Sequence, residues 1–219
     1  MMISPEYYYE EYLKGKNKKQ ILSAIRGLKN HIGHLKNVME NPNYGAKPII
    51  RPSEGVQISC NRLYLQRAIK ALDDMECPYK YSKAELKSIE LQNNLEHISK
   101  ISFEIGGYFQ GFTEYVIEIT DDSATMSSIN RLSPERNEAE KKIDKNELLY
   151  QLSELYIGEW RKDYNPERFG IAVLDGTQWQ LKLEFNNGRK PCEFSGSNSY
   201  PYNFNKLLVI FEIDGDVEL

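Results

Sequence analysis

The chain has 219 residues, of which 40% are hydrophobic and 27% charged, enough to fill a core in one large domain or two small ones. A formal charge of −4 and a pI near 5.6 weigh against a protein whose whole surface grips nucleic acid, and leave a local basic site open. Cys60, Cys77 and Cys192 are scattered, odd in number and without a CxxC, which argues against a disulfide scaffold and for reduced thiols in a cytoplasm.

The opening MMISPEYYYEEY is acidic and aromatic, so no signal peptide is expected. Residues 18–40 are predicted as a helix: Ile21, Ile25, Leu28, Ile32, Leu35 and Met39 recur at heptad spacing, the pattern of a coiled-coil or dimer seam. Gly27 and Gly33 inside it each cost about 1 kcal/mol relative to Ala. Either they allow a partner's backbone close, or the helix is marginal until packed. Asn41-Pro42-Asn43-Tyr44-Gly45 ends it, and an extended connection holding Pro48 and Pro52 follows. A second helix is expected from about Ser59 to Met75, with Leu63, Leu65, Ala68, Ile69 and Leu72 on its apolar face, completing a helical hairpin. A third begins near Ser82, which has capping-box spacing to Glu85.

From Ser99 the period changes to two. Ile101, Phe103 and Ile105, then Tyr115, Ile117 and Ile119, alternate with polar residues and predict half-buried strands joined by the glycine bend Gly106–Gly111. Residues 121–143 are polar, hold Pro134, and read as a loop with a short strand near Met126. Asp144 and Glu147 open a helix towards Trp160. Strands are expected at 169–174, 177–185 and 189–195, with Asp175-Gly176 and Asn187-Gly188 as tight turns. Asn203 is expected to cap a last helix through Leu207, Leu208 and Phe211. Its apolar run is far too short to span a bilayer.

The expected architecture is α+β: an N-terminal helical hairpin or coiled-coil region (1–97), an antiparallel sheet with two helices on one face (98–213), and an acidic tail (214–219). The sheet should have five or six strands.

Charge is the strongest functional signal. Between Lys14 and Met39 there are seven cations and no carboxylate, while the rest of the chain is strongly acidic. Lys14, Lys16, Lys18, Lys19, Arg26, Lys29 and Lys36 are therefore candidate partner-binding residues, gripping phosphates, an acidic protein or the acidic body in cis. The heptad residues Ile21, Ile25, Leu28, Ile32, Leu35 and Met39 are the candidate oligomer interface. Fifteen tyrosines give further contact area with polar tips. The loop SGSNSYPYNF, with Asn198, Tyr200 and Tyr202, has the small-polar and tyrosine composition of a binding loop.

Catalytic signals are weak. His31 and His34 share a helical face but have no acidic or cysteine ligand near them in sequence. The glycine bend lacks the Gly-Lys-Ser/Thr ending of a phosphate loop and leads into a strand. The serines of 195–199 form no Gly-x-Ser-x-Gly elbow, and no histidine follows His97 to serve as base. Glu159, Asp163 and Asp175 could meet as a carboxylate pair only through the fold.

The segments IGEWRKDY, RFGIAVLDGTQWQLKLEFNNGRKP and GSNSYPYNFNKLL resemble the C-terminal block of a family of uncharacterised bacterial proteins, a likeness that extends to YYEEYLKGK and ISFEIGGYFQGF. That family carries no established activity and so transfers no site. Residues 99–211 are also similar to emfourin-like domains, with ISFEIGGYFQGF as the first hairpin and DGTQWQLKLEFNNG as the second. This resemblance implies binding, as in protease inhibitors, rather than turnover.

The expectation is a non-enzymatic cytoplasmic protein-binding module without cofactor or metal. Its anticipated role is that of an inhibitor or anti-defence factor from a mobile element, acting on a nucleic-acid-processing enzyme. Direct nucleic-acid binding through the basic helix is the alternative, and a hydrolase is the second alternative. The partner is expected to be another protein, a nucleoprotein enzyme included, with nucleic acid and a homodimer as further candidates and no membrane.

Overall fold

Capping chemistry sets where the N-terminal helices begin. In the computed structural model, which describes residues 2–46, 51–107, 111–130, 132–133, 138–173 and 175–213, Ser4 accepts the Tyr7 amide at 3.1 Å and starts α1 (Pro5–Tyr8). The helix widens into a single π turn, Tyr9–Leu13, closed by Lys14 N–H to the Tyr9 carbonyl. Asn17 then caps α2 (Lys18–Met39) through a reciprocal capping box with Gln20. α3 spans Glu54–Asp73. Residues 108–110 of the glycine bend, the Pro48 stretch, Pro134 and the tail 214–219 lie outside the described residues.

The chain divides into two compact units, Met1–Ser82 and Lys83–Leu219. The boundary precedes the expected one because α4 (Lys83–Asn93), the third predicted helix, belongs with the sheet, where Leu91 enters the core. Charge segregates at this boundary. The first unit has thirteen Lys and Arg against eight Asp and Glu, a formal +5; the second has fifteen against twenty-four, a formal −9.

In the first unit α2 and α3 form an antiparallel hairpin. Ile21, Ile25 and Leu28 pack with Tyr64, Ala68, Ala71 and Leu72, and Leu13 plugs the end at 1% exposure. Ala68 and Ala71 let α2 approach closely. α3 starts earlier than predicted, and its buried stripe runs through Ile58, Asn61, Tyr64, Ala68, Ala71 and Leu72. Leu63, assigned to the apolar face from sequence, is 47% exposed.

The second unit is a seven-stranded, mostly antiparallel sheet in the order β4-β3-β2-β1-β6-β7-β5. Its strands are β1 (Ile98–Gly107), β2 (Gly111–Ile119), β3 (Ala124–Asn130), β4 (Glu138–Ile143), β5 (Asp163–Tyr164), β6 (Gln178–Phe185) and β7 (Cys192–Ser197). α5 (Lys145–Glu154), capped by Asp144, and α6 (Phe204–Ile210) share one core with Ile101, Phe103, Ile105, Ile117, Leu181 and Leu183, so both lie on one face of the sheet. Ser102, Glu104, Glu118, Gln180 and Lys182 alternate onto the other face.

Three local expectations need correction, each for a physical reason. The polar stretch 121–143 contains the expected strand at Met126 as β3 but is otherwise not a loop: β4 pairs with β3, a hairpin the sequence hid because the inward residues Ala124, Ser128 and Asn130 are small or polar. Asn130 tolerates burial because its amide donates to Thr113 Oγ1 at 2.9 Å and its oxygen accepts the Leu132 and Ser133 amides. No strand forms at 169–173; a 3₁₀ turn, Pro166–Phe169, ends there at Gly170 (φ +73°), and the missed strand β5 is two residues pairing parallel with β7. Asn203 stands at the N-cap position of α6 as expected, but its side chain makes no capping hydrogen bond. It accepts instead from Trp160 Nε1 at 3.1 Å and donates to the Leu155 carbonyl at 2.8 Å.

Candidate functional site

The cations gather on α2 because one flank of that helix is left by the buried stripe. At 3.6 residues per turn, Lys18, Lys19, Arg26, Lys29 and Lys36 fall within an arc of about 100°, with Lys18, Lys29 and Lys36 beside the stripe and Arg26 and Lys19 nearly opposite it. From Lys18 to Lys36 the row is about 27 Å long at 1.5 Å per residue. Lys16 and Lys14 extend it through the turn before the helix, where Lys16 N–H bonds to the Leu13 carbonyl and Gly15 adopts φ +72°.

These cations differ in their commitments. Lys14 pairs with Glu10 at 2.6 Å, and that bond raises its pKa. Lys29 is half-buried, 3.3 Å from the Tyr79 hydroxyl and 6.0 Å from its ring centroid. Lys36 is also half-buried. Lys16, Lys18, Lys19 and Arg26 are exposed and make no ion pair among the described residues. Lys18 and Lys19 also occupy the first helical turn, the positive end of the macrodipole, where cations are disfavoured.

Gly33 sits inside this flank. A Cβ built on Gly33 meets nothing within 4 Å, and the same holds for Gly27. Internal packing therefore requires neither glycine. At Gly33, between Lys29 and Lys36, the bare backbone leaves room for something outside the chain to come close.

The heptad residues have another fate. Ile21, Ile25, Leu28, Ile32 and Leu35 are at most 8% exposed within one chain. Met39 is half-buried and reaches the start of α3 near Gly55. The expected oligomer seam is covered by the chain's own helices, and a dimer built on it would have to displace α3.

An aromatic feature that sequence reasoning missed adjoins the cations. The Tyr8 ring stacks on Tyr64 (centroids 4.5 Å apart, 10° between planes) and on Tyr12 (5.2 Å, 27°). The spacing of Tyr8 and Tyr12 was a readable signal for half of this ladder; the contact with Tyr64 depends on the hairpin.

In the second unit the 195–204 loop is largely engaged internally. Asn198 (φ +48°) accepts the Thr177 amide at 2.8 Å and donates to the Asp175 carbonyl at 3.3 Å. The Tyr200 ring packs tilted against Phe204, with centroids 4.8 Å apart; burial raises its phenol's pKa, partly offset by a hydrogen bond with Thr177. Tyr202 is half-buried.

The outer sheet face carries a depression of about 350 Å³ lined by Glu104, Gly107, Gly111, Phe112, Glu114, Ile129 and Leu132. Glu104 and Glu114 stand directly opposite each other on β1 and β2. Among the described residues no serine, cysteine or histidine lines it, and neither do Glu159, Asp163 or Asp175. Asp163 instead accepts a long bond (3.4 Å) from Ser195 Oγ. His31 and His34 are exposed, and no group of three metal-ligating side chains occurs among the described residues. No helix of the described residues is long and apolar enough to cross a membrane.

Comparison of the chain with protein-family models, with curated proteins and with solved structures finds no match.

Proposed function

We propose that the protein is a non-enzymatic binding protein whose contact surface is the cationic flank of α2, and that this flank takes the phosphate backbone of a nucleic acid, free or within a nucleoprotein. The observation that carries this reading is the row from Lys16 to Arg26. Its four exposed cations have no internal partner among the described residues, and two of them stand where the helix dipole opposes them. A cation in that position does not serve the helix, so its use lies outside the chain. Phosphates answer a row of this length, whereas an isolated carboxylate answers one cation.

An inhibitor of a nucleic-acid-processing enzyme would use the same flank against the enzyme's nucleic-acid complex. The resemblance of residues 99–211 to emfourin-like domains supports a binding role for the second unit. Its Tyr-rich loop adds little to that support, since Asn198 and Tyr200 already have internal partners.

The test is binding of labelled oligonucleotides by fluorescence anisotropy across a salt series. If the four exposed cations release counterions, the logarithm of the affinity should fall with the logarithm of salt with a slope of about −3. The double substitution Lys18→Glu, Lys19→Glu should abolish binding. A nuclease-treated pull-down that still yields a stoichiometric protein would return the assignment to a protein partner.

A further inference from the structure

We infer, resting on the nucleic-acid reading above, that Tyr12 is a stacking platform for an unpaired base and that the ligand is single-stranded. The three-ring ladder is fixed at its inner end. Tyr64 is 9% exposed, and its hydroxyl accepts the Ile3 amide at 3.1 Å while donating to the Ile3 carbonyl at 2.8 Å. Tyr8 lies half-buried on Tyr64, and Tyr12 lies on Tyr8 at 58% exposure. One face of the Tyr12 ring meets Tyr8; Tyr12 has no other ring contact or hydrogen bond among the described residues. A second clamp holds α1 against α3. The Arg67 guanidinium sits 3.7 Å from the Tyr9 ring centroid and donates to Glu6 at 3.0 Å. The outermost ring of the ladder is therefore held in place before any ligand arrives, which lowers the ordering cost of stacking on it.

Tyr12 precedes Lys14 by two residues, and the tight turn at Gly15 brings the chain directly to Lys16, Lys18 and Lys19. An exposed aromatic face beside a row of cations matches the two needs of a single strand, a surface for a splayed base and a track for its phosphates. A duplex has already stacked its bases and gains nothing from Tyr12 along its length. If Tyr12 served only to brace α1, its substitution would lower stability and leave ligand preference unchanged.

The experiment uses the full chain, a labelled oligothymidine and a labelled duplex annealed from two fully complementary strands at matched salt, with polyglutamate as competitor. The variants are Tyr12→Ala, Tyr12→Phe and Lys18→Glu/Lys19→Glu, each checked by thermal unfolding. Oligothymidine is expected to bind more tightly than the duplex. Tyr12→Ala should weaken oligothymidine about 5- to 150-fold, the range for losing one base stack. Tyr12→Phe should retain affinity, and Tyr12→Ala should leave the duplex unchanged. Unchanged oligothymidine binding by Tyr12→Ala, or tighter binding to duplex, overturns the inference. In that case the phosphate reading survives if Lys18→Glu/Lys19→Glu still loses binding. No binding to either oligonucleotide, or full competition by polyglutamate, overturns both.

Discussion

Asn17 and Gln20 exchange hydrogen bonds across the first turn of α2: Gln20 N–H donates to Asn17 Oδ1 at 3.1 Å, and Asn17 N–H donates to Gln20 Oε1 at 2.9 Å. Neutral side chains thus cap a helix whose first turn holds two lysines and no carboxylate. Capping boxes usually place Glu at the third position, which would also satisfy the dipole. Here no carboxylate offsets the positive end of the dipole.

The first prediction uses this conflict. Reversing Lys18 and Lys19 to Glu removes an unfavourable dipole interaction, worth about 0.3–1 kcal/mol per exposed charge at low salt. The variant should be as stable as the parent or more so by chemical denaturation, yet lose nucleic-acid affinity. Lost stability together with lost binding would mean that these lysines support the fold.

The heptad stripe gives a second. Ile25 is 2% exposed and packed within the hairpin. Ile25→Ala should cost about 2–5 kcal/mol, the range for truncating a buried aliphatic side chain. The unfolding midpoint should not depend on protein concentration. A midpoint that rises with concentration would show that a second copy covers the stripe.

Tyr44 provides a pH signature. Its hydroxyl donates to Glu54 Oε2 at 2.7 Å, and burial, then the bond and charge of Glu54, push its pKa up to about 12. The ordinary tyrosine value is near 10. A folded pKa above the unfolded one gives stability that is fully present below about pH 10 and is lost as pH rises through about 12. The difference in phenolate absorbance between the parent and Tyr44→Phe should titrate with a midpoint near 12. A midpoint at the ordinary tyrosine value would refute the Glu54 contact.

Asn198 separates a structural loop from a binding loop. Its backbone N–H donates to the Thr177 carbonyl at 2.8 Å while its side chain accepts from the Thr177 amide, at a left-handed φ of +48°. Asn198→Ala strands the Thr177 amide and strains φ, and should destabilise the second unit by about 1–3 kcal/mol. Asn198→Gly should cost less, because the backbone strain is absent. Equal stability of all three proteins would free this loop for a partner.

Much of the fold was legible because period and capping are local. α2 followed from the heptad and its end from Asn41-Pro42, β1 and β2 from strict alternation, and the start of α5 from Asp144; the Asn17 cap that starts α2 was not read from the sequence. Other features were set by distant partners. The heptad could not say whether α3 or a second copy would cover it. Asn130 became a core residue only once Thr113 and the backbone of Leu132 and Ser133 met it. Asn203 looked like a cap until Trp160 and Leu155 claimed it. The same limit applies to the candidate site. The cations were legible as composition, and their alignment followed from helical geometry. The ladder ending at Tyr12 needed the hairpin to bring Tyr64 against Tyr8.

The most direct measurement is the affinity of the intact protein for a mixed-sequence oligonucleotide across a salt series. Binding at low salt, a log–log slope of about −3 and loss of binding in Lys18→Glu/Lys19→Glu are expected. No binding at low salt, or an affinity indifferent to salt, would contradict the nucleic-acid reading.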